Sequence, residues 1–228
     1  MRRLFEGRDP QLVLFDLDGT LVDSVPDLAQ AVDRMLAALG RPQAGVDRVR
    51  NWVGNGAAVL VQRALTGALE TGNGRPPASD EVFDKAYGLF LEFYAEATAD
   101  QSRLYPGVRE CLDGLAARGI VLGVATNKPM RFTTPMLEGF GLSHHFSVVL
   151  GGDSLPTRKP DPAMLLSAIE QCGASPCTTL MVGDSSNDVK AARAAGCPVA
   201  AVPYGYNHGV AIEDSCPDLL VQRLDQLL

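Results

Sequence analysis

The chain has 228 residues, 46% hydrophobic and 21% charged, a balance that fits a globular protein of one large domain or two modest ones. A formal net charge of −7 without any lysine or arginine block excludes a nucleic-acid-binding surface. No apolar run approaches the ~18 residues that span a bilayer, and the opening MRRLFEGRDP lacks the apolar stretch of a secretory signal. Five cysteines (Cys111, Cys172, Cys177, Cys197 and Cys216) form no CxxC pair. They read as mostly buried free thiols of a cytoplasmic protein, and a zinc site is not expected.

The first predicted strand, residues 12–15, runs straight into Asp16 and Asp18 of VLFDLDGTLVDS. Residues 23–103 then offer helices but no strand. A helix over 26–39 is closed by Gly40. A second over 57–69 carries Val61, Leu65 and Leu69 at helical spacing. A third over 81–97 aligns Val82, Ala86, Phe90, Phe93 and Ala97, and 71–79 is a loop. From about residue 104 strands and helices alternate. A helix runs from Pro106 to Gly119, and short apolar strands follow at 120–125 and 147–150. Asp161 and Pro162 open the next helix, which Gly173 stops. A strand at 179–182, a helix from Asn187 or Asp188 to Gly196 and a strand at 198–202 complete the pattern. Apolar strands without alternation suit a parallel sheet covered on both faces. The expected fold is α/β: a Rossmann-like, doubly wound parallel sheet core over 1–22 and 104–228, with an inserted all-helical cap domain over 23–103.

Polar residues cluster where three of these strands end: Asp16 and Asp18 after the first, Thr126, Asn127 and Lys128 after the second, Asp184 and Asp188 after the fourth. Ligands bind at that edge of an open α/β sheet. Two like charges 4 Å apart repel by about 4 kcal/mol at an effective dielectric near 20. A hard divalent ion such as Mg²⁺, taking carboxylates, waters and phosphate oxygens, offsets this. One carboxylate held ionised at the metal serves as nucleophile, and another kept off it serves as acid and base. Lys159 in RKPDP is the candidate cation for a phosphoryl group. Enzymes accelerate phosphate monoester hydrolysis by up to about 10²¹, or about 28 kcal/mol, so several groups must act on the developing charge together.

DLDGT, ATNK, KPDP and GDSSND, in this order, resemble the four motifs of the haloacid-dehalogenase-like superfamily, with the helical insert similar to its helical cap. The resemblance implies Asp16 as nucleophile and Asp18 as acid/base. Thr126 and Lys159 then hold the phosphoryl group, and Mg²⁺ is bound by Asp16, the backbone carbonyl of Asp18 and Asp184, with Asp188 in support. Within the superfamily DSVPDLAQAVD, VRNWVGNGAAVLVQRAL, LYPGVRECLDGLAARG, NKPMRF and YGYNHG are similar to bacterial phosphoglycolate phosphatases, which implies hydrolysis of 2-phosphoglycolate to glycolate and phosphate. Ser186 stands where that family commonly has arginine.

Gly54 and Asn55 of WVGNG precede a cap helix whose start suits an anion, and with Asn127 they are candidate substrate contacts; the same stretch reads equally as a plain hinge. Arg50, Arg63 and Arg131 are candidates for a substrate carboxylate. YGYNHG is expected at the rim, with His208 a loop residue and His144 and His145 a helix-end feature. The expected partner is a small phosphomonoester, with no membrane or nucleic acid, for a monomer or homodimer. Competing readings keep the fold but take a sugar phosphate, as phosphatase or mutase, or attack carbon as a dehalogenase. Another class of reading is a phospho-accepting signalling module, which shares clustered aspartates, Thr and Lys but is typically shorter and lacks a large lid.

Overall fold

The computed structural model describes residues 1–69 and 79–228; most of the loop expected over 71–79 lies outside them. Strand β1 (Leu12–Phe15) is buried along its whole length. Leu12 and Leu14 join one apolar cluster and Val13 and Phe15 another, because successive side chains leave a strand on opposite faces. A tight loop leads to β2 (Val22–Asp23), followed by α1 (Val25–Ala38), α2 (Val46–Trp52), α3 (Ala57–Thr66), α4 (Asp80–Glu96) and β3 (Arg103–Leu104). The chain continues through α5 (Val108–Ala117), β4 (Val121–Ala125), α6 (Met130–Gly139), β5 (Val148–Leu150), α7 (Ala163–Gln171) and β6 (Thr179–Gly183), then α8 (Ser186–Ala195), β7 (Val199–Ala201) and β8 (Leu219–Leu220).

Six strands form one parallel sheet in the order β5-β4-β1-β6-β7-β8. Leu112 and Leu115 of α5 and Met136 of α6 cover the face of Val13 and Phe15. Met164 and Ile169 of α7 and Val189 and Ala192 of α8 cover the other face. After β1 the sheet grows toward β4, whereas after β6 it grows the opposite way, toward β7. The switch point therefore lies between β1 and β6, and the crevice beyond their carboxyl ends is where such sheets bind ligands. This is the expected doubly wound sheet, with β8 as an additional edge strand.

Helices α1 to α4 share a separate apolar cluster, which Phe132 of α6 and Tyr206 join. Val25, Leu28, Ala29, Val32, Met35 and Leu36 line one side of α1 at intervals of three and four, and Pro26 is accommodated in its first turn. On α4, Ala86, Phe90 and Tyr94 are buried, so the stripe turns through Tyr94 rather than the expected Phe93. The sequence reading holds no strand over 23–103, yet Asp23 and Arg103 belong to strands: β2 and β3 pair antiparallel, Val22 opposite Leu104 and Asp23 opposite Arg103. Two residues per strand are too few to show a periodicity. Asp161, the expected N-cap, stands one residue before the observed N-cap Pro162, but its Oδ1 still accepts the Ala163 N–H at 2.9 Å. The cysteines are unpaired, but only Cys111 and Cys197 are buried; Cys172 is half-buried, and Cys177 and Cys216 are exposed. Among the described residues no helix is long and apolar enough to cross a membrane.

Candidate active site

The ends of β1, β4 and β6 deliver their polar residues to one place. The Asp16 N–H donates to Val182 O at 2.9 Å, so the ladder with β6 extends one residue beyond β1. The chain then turns at once: Leu17 O accepts from the N–H groups of Thr20, Leu21 and Val22. Gly19 makes this turn at φ +87°, a conformation that costs a residue with a Cβ. Carboxylate oxygens of Asp16, Asp184 and Asp188 lie within 4.8 Å of one another.

Lys159 meets two of them, with Nζ 3.1 Å from Asp16 Oδ1 and 2.6 Å from Asp188 Oδ1. Burial pulls the Lys159 ammonium toward neutrality, but the Asp16 and Asp188 charges more than reverse this and hold it protonated. Asp188 is anchored from behind. Its Oδ2 accepts the N–H groups of Asp184 and Ser185, at 3.2 and 3.0 Å, and the Ser185 hydroxyl at 2.7 Å. Asp184 accepts the Thr20 hydroxyl on Oδ1 at 2.7 Å and the Tyr206 N–H on Oδ2 at 2.6 Å. Asp16 Oδ1 accepts the Leu17 N–H at 2.7 Å.

Charge decides what this cluster suits. Three carboxylates and one ammonium leave two negative charges in surplus. Burial pushes Asp16 up to about 6, Lys159 pulls against that rise, and Asp188 and Asp18 add to it. Asp184 is raised too, by burial first and then by Asp188 and Asp16. An all-oxygen donor set with surplus negative charge fits a hard divalent cation. Asp16, Asp184 and Asp188 could each offer such an ion a carboxylate oxygen, and Asp188 also orients Lys159.

Asp18 sits in different company. Its Oδ1 accepts the Ser24 hydroxyl at 2.6 Å and the Lys128 ammonium at 3.1 Å. Lys128 in turn donates to the Tyr94 hydroxyl at 2.5 Å, from 4.6 Å above the Tyr94 ring centroid. Asp16, Asp18, Thr126, Asn127, Lys128, Gly54 and Tyr94 all border a cavity of about 480 Å³, counting its open mouth. Asn127 is spent on structure: its amide donates to Gly54 O at 3.1 Å and Lys159 O at 2.9 Å, and its Oδ1 accepts the Lys159 N–H at 3.0 Å. Asn187 also donates to Gly54 O, at 3.3 Å, so the 52–56 stretch is pinned to the sheet edge. Asn55 does not reach the cavity; its side chain accepts from Arg63 at 2.9 Å.

The three arginines are engaged elsewhere. Arg50 lies 3.6 Å from Asp23 and over the Tyr206 ring. Arg63 also donates to Trp52 O and Leu69 O, and Arg131 lies over Phe132. His208 Nδ1 is 2.9 Å from Asn51 O, and His145 Nε2 meets Asp113 Oδ1 at 2.7 Å, so neither is part of the carboxylate cluster. Sequence reasoning missed Thr20, Ser24 and Tyr206 as partners of the aspartates and Tyr94 as the partner of Lys128, and placed Lys128 at a strand end without a role. Thr20, Ser24 and Lys128 lie inside or beside the quoted motifs; Tyr94 carries no sequence signal beyond a helical stripe.

Fold and site together define an α/β enzyme with a carboxylate cluster around a buried lysine at the switch point of its sheet. A family model described as haloacid dehalogenase-like hydrolase matches residues 10–196, and the chain belongs to that family. It is 48% identical over 226 residues to phosphoglycolate phosphatase of Pseudomonas putida, covering 99% of this chain and 81% of that protein. It is 46% identical to phosphoglycolate phosphatase of Nitrosococcus oceani, covering 96% of each. Among solved structures, a predicted phosphoglycolate phosphatase from Haemophilus somnus superposes with a TM-score of 0.88 at 42% identity, covering 95% of this chain and 96% of that one.

Proposed function

We propose that the protein is a Mg²⁺-dependent phosphatase that hydrolyses 2-phosphoglycolate to glycolate and phosphate through an aspartyl-phosphate on Asp16. The observation that carries this reading is the split between the two aspartates that follow β1. Asp16 is tied to Lys159 and the acidic cluster, and Asp18 is tied to Ser24 and Lys128 at the cavity wall. The names of the relatives, at nearly half identity over nearly the whole chain, support the choice of substrate.

Asp16 Oδ2 attacks phosphorus while the bond from phosphorus to the ester oxygen breaks, and Asp18 gives its proton to that departing oxygen. Glycolate leaves. Asp18, now a carboxylate, takes a proton from water as the water oxygen attacks phosphorus, and the bond between phosphorus and Asp16 breaks to release phosphate. Lys159, held by Asp188, and the Thr126 hydroxyl face the oxygens on which charge develops. When bound, Mg²⁺ supplies a Lewis acid that neutralises the surplus charge, with Asp16, Asp184 and the Asp18 carbonyl as its protein ligands. Residues 23–103 act as a cap that excludes bulky esters and water. The enzyme works in the cytoplasm on a small molecule, as monomer or homodimer.

Phosphate release from a panel of small esters, measured with Mg²⁺ and then with EDTA, tests this. 2-Phosphoglycolate is expected to lead the panel, and EDTA to abolish turnover. Asp16→Asn is expected to fold normally by circular dichroism and to lose turnover by at least about 10⁴-fold. An active, folded variant sinks the nucleophile assignment. Many turnovers per protein, rather than slow stoichiometric labelling, separate an enzyme from a signalling module.

A further inference from the structure

A substrate with a phosphoryl group at one end and a carboxylate at the other needs two cationic partners. Lys159 and the metal site serve the first. Among the described residues on the cavity wall, Lys128 is the one cationic side chain; Arg50, Arg63 and Arg131 do not border it. Lys128 is 4% exposed, and its ammonium is held at the cavity wall by the Asp18 carboxylate and the Tyr94 hydroxyl.

We propose that Lys128 is the specificity-determining residue: with the Tyr94 hydroxyl it receives the substrate carboxylate. The proposal rests on the phosphatase reading above. Lys128 Nζ is 3.1 Å from Asp18 Oδ1, the group that protonates the ester oxygen. In 2-phosphoglycolate the carboxylate is one methylene away from that oxygen, so an ester seated at Asp18 carries its acid group to Lys128. Tyr94 supplies a second donor. Its oxygen accepts from Lys128, and its own hydrogen meets no acceptor among the described residues although the residue is 1% exposed. Burial keeps this hydroxyl protonated, raising it to about 12. The result is a pair of adjacent donors, matched to the two oxygens of a carboxylate.

The remaining walls sharpen the choice. Leu28, Val53, Leu60, Phe90 and Phe132 line the cavity and offer nothing to the hydroxyls of a sugar. A desolvated sugar hydroxyl without a partner is penalised, whereas a methylene is welcome. The start of α3 at Gly56 and Ala57, which has no side-chain cap, also borders this cavity and adds partial positive charge to it.

The test compares kcat/KM for 2-phosphoglycolate with that for 2-hydroxyethyl phosphate, which replaces the carboxylate with a neutral alcohol. The preference of the wild-type protein is expected to fall about 100-fold in Lys128→Met, because a buried charged hydrogen bond is lost. Lys128→Arg is expected to recover part of it. Arg50→Ala and Arg131→Ala are expected to leave the ratio as it is. If Lys128→Met slows both esters equally, Lys128 merely orients Asp18 and the proposal is overturned; an arginine variant that removes the preference overturns it too. Should Lys128→Met fail to fold by circular dichroism, Tyr94→Phe gives the same readout: a drop of about 10-fold in the ratio supports the proposal and an unchanged ratio refutes it. A wild-type protein that hydrolyses neither ester refutes the phosphatase reading itself, a distinct outcome.

Discussion

A methyl group added at Gly205 or Gly19 would collide with the Asp184 carboxylate. Each glycine keeps a space that the side chain of Asp184 fills, and Tyr206 N–H, next to Gly205, fixes one of its oxygens. Gly205→Ala is therefore expected to leave the far-UV spectrum intact and to lower kcat by about 100-fold, since a displacement near 1 Å at a reacting centre costs that much. Phosphate release at saturating Mg²⁺ checks it. The aspartates and Thr126 were legible in the sequence because each sits in a short motif just past an apolar strand, and Lys159 because RKPDP stands directly ahead of a helix. Lys128 follows Thr126 by two residues, so its location was legible too. Its burial was not, since no linear pattern says which of twenty lysines and arginines is withdrawn from water. Tyr94 was hidden by helix phase: one residue of rotation separates it from Phe93.

Among the elements, the β2–β3 ribbon and the start of α1 carry the connection between helices and sheet. Asp27, 1% exposed in the first turn of α1, accepts the N–H groups of Gln101 and Ser102 at 2.9 and 2.8 Å and the Ser102 hydroxyl at 2.5 Å. The departing and returning chains are thereby tied together. Asp27→Ala strands these buried donors, and urea unfolding is expected to show a loss of about 2–4 kcal/mol. Long periodic elements such as α1 and α4 were readable from spacing alone. Helix α6 escaped because Pro135 lies inside it, where a proline ordinarily argues against a helix. Strands β2, β3 and β8, two residues each, are defined by their partners across the ladder and leave no trace in local sequence.

At the scale of the molecule, the acidic cluster makes stability depend on pH and metal together. Asp16, raised to about 6, favours the folded state most below the unfolded carboxylate value near 4, and that contribution is lost as pH climbs through 6. Mg²⁺ reverses the penalty by binding the ionised form. The melting temperature is expected to rise with Mg²⁺ at pH 7 and to rise much less at pH 5, where binding must first displace a proton. Differential scanning calorimetry at the two pH values checks this, and an equal rise at both contradicts it. Asp23 and Arg103 face each other across the ribbon, so the chain leaves the sheet and comes back at adjoining points. An Asn-Gly hairpin turn spliced between them spans that gap without disturbing either flank. Such a truncated protein is expected to melt cooperatively and to cleave p-nitrophenyl phosphate slowly, with its discrimination among esters erased once Lys128 and the aspartates are bathed in bulk water. The helical module is then an interchangeable selectivity cassette, and grafting a different one at the same seam redirects the chemistry to other esters.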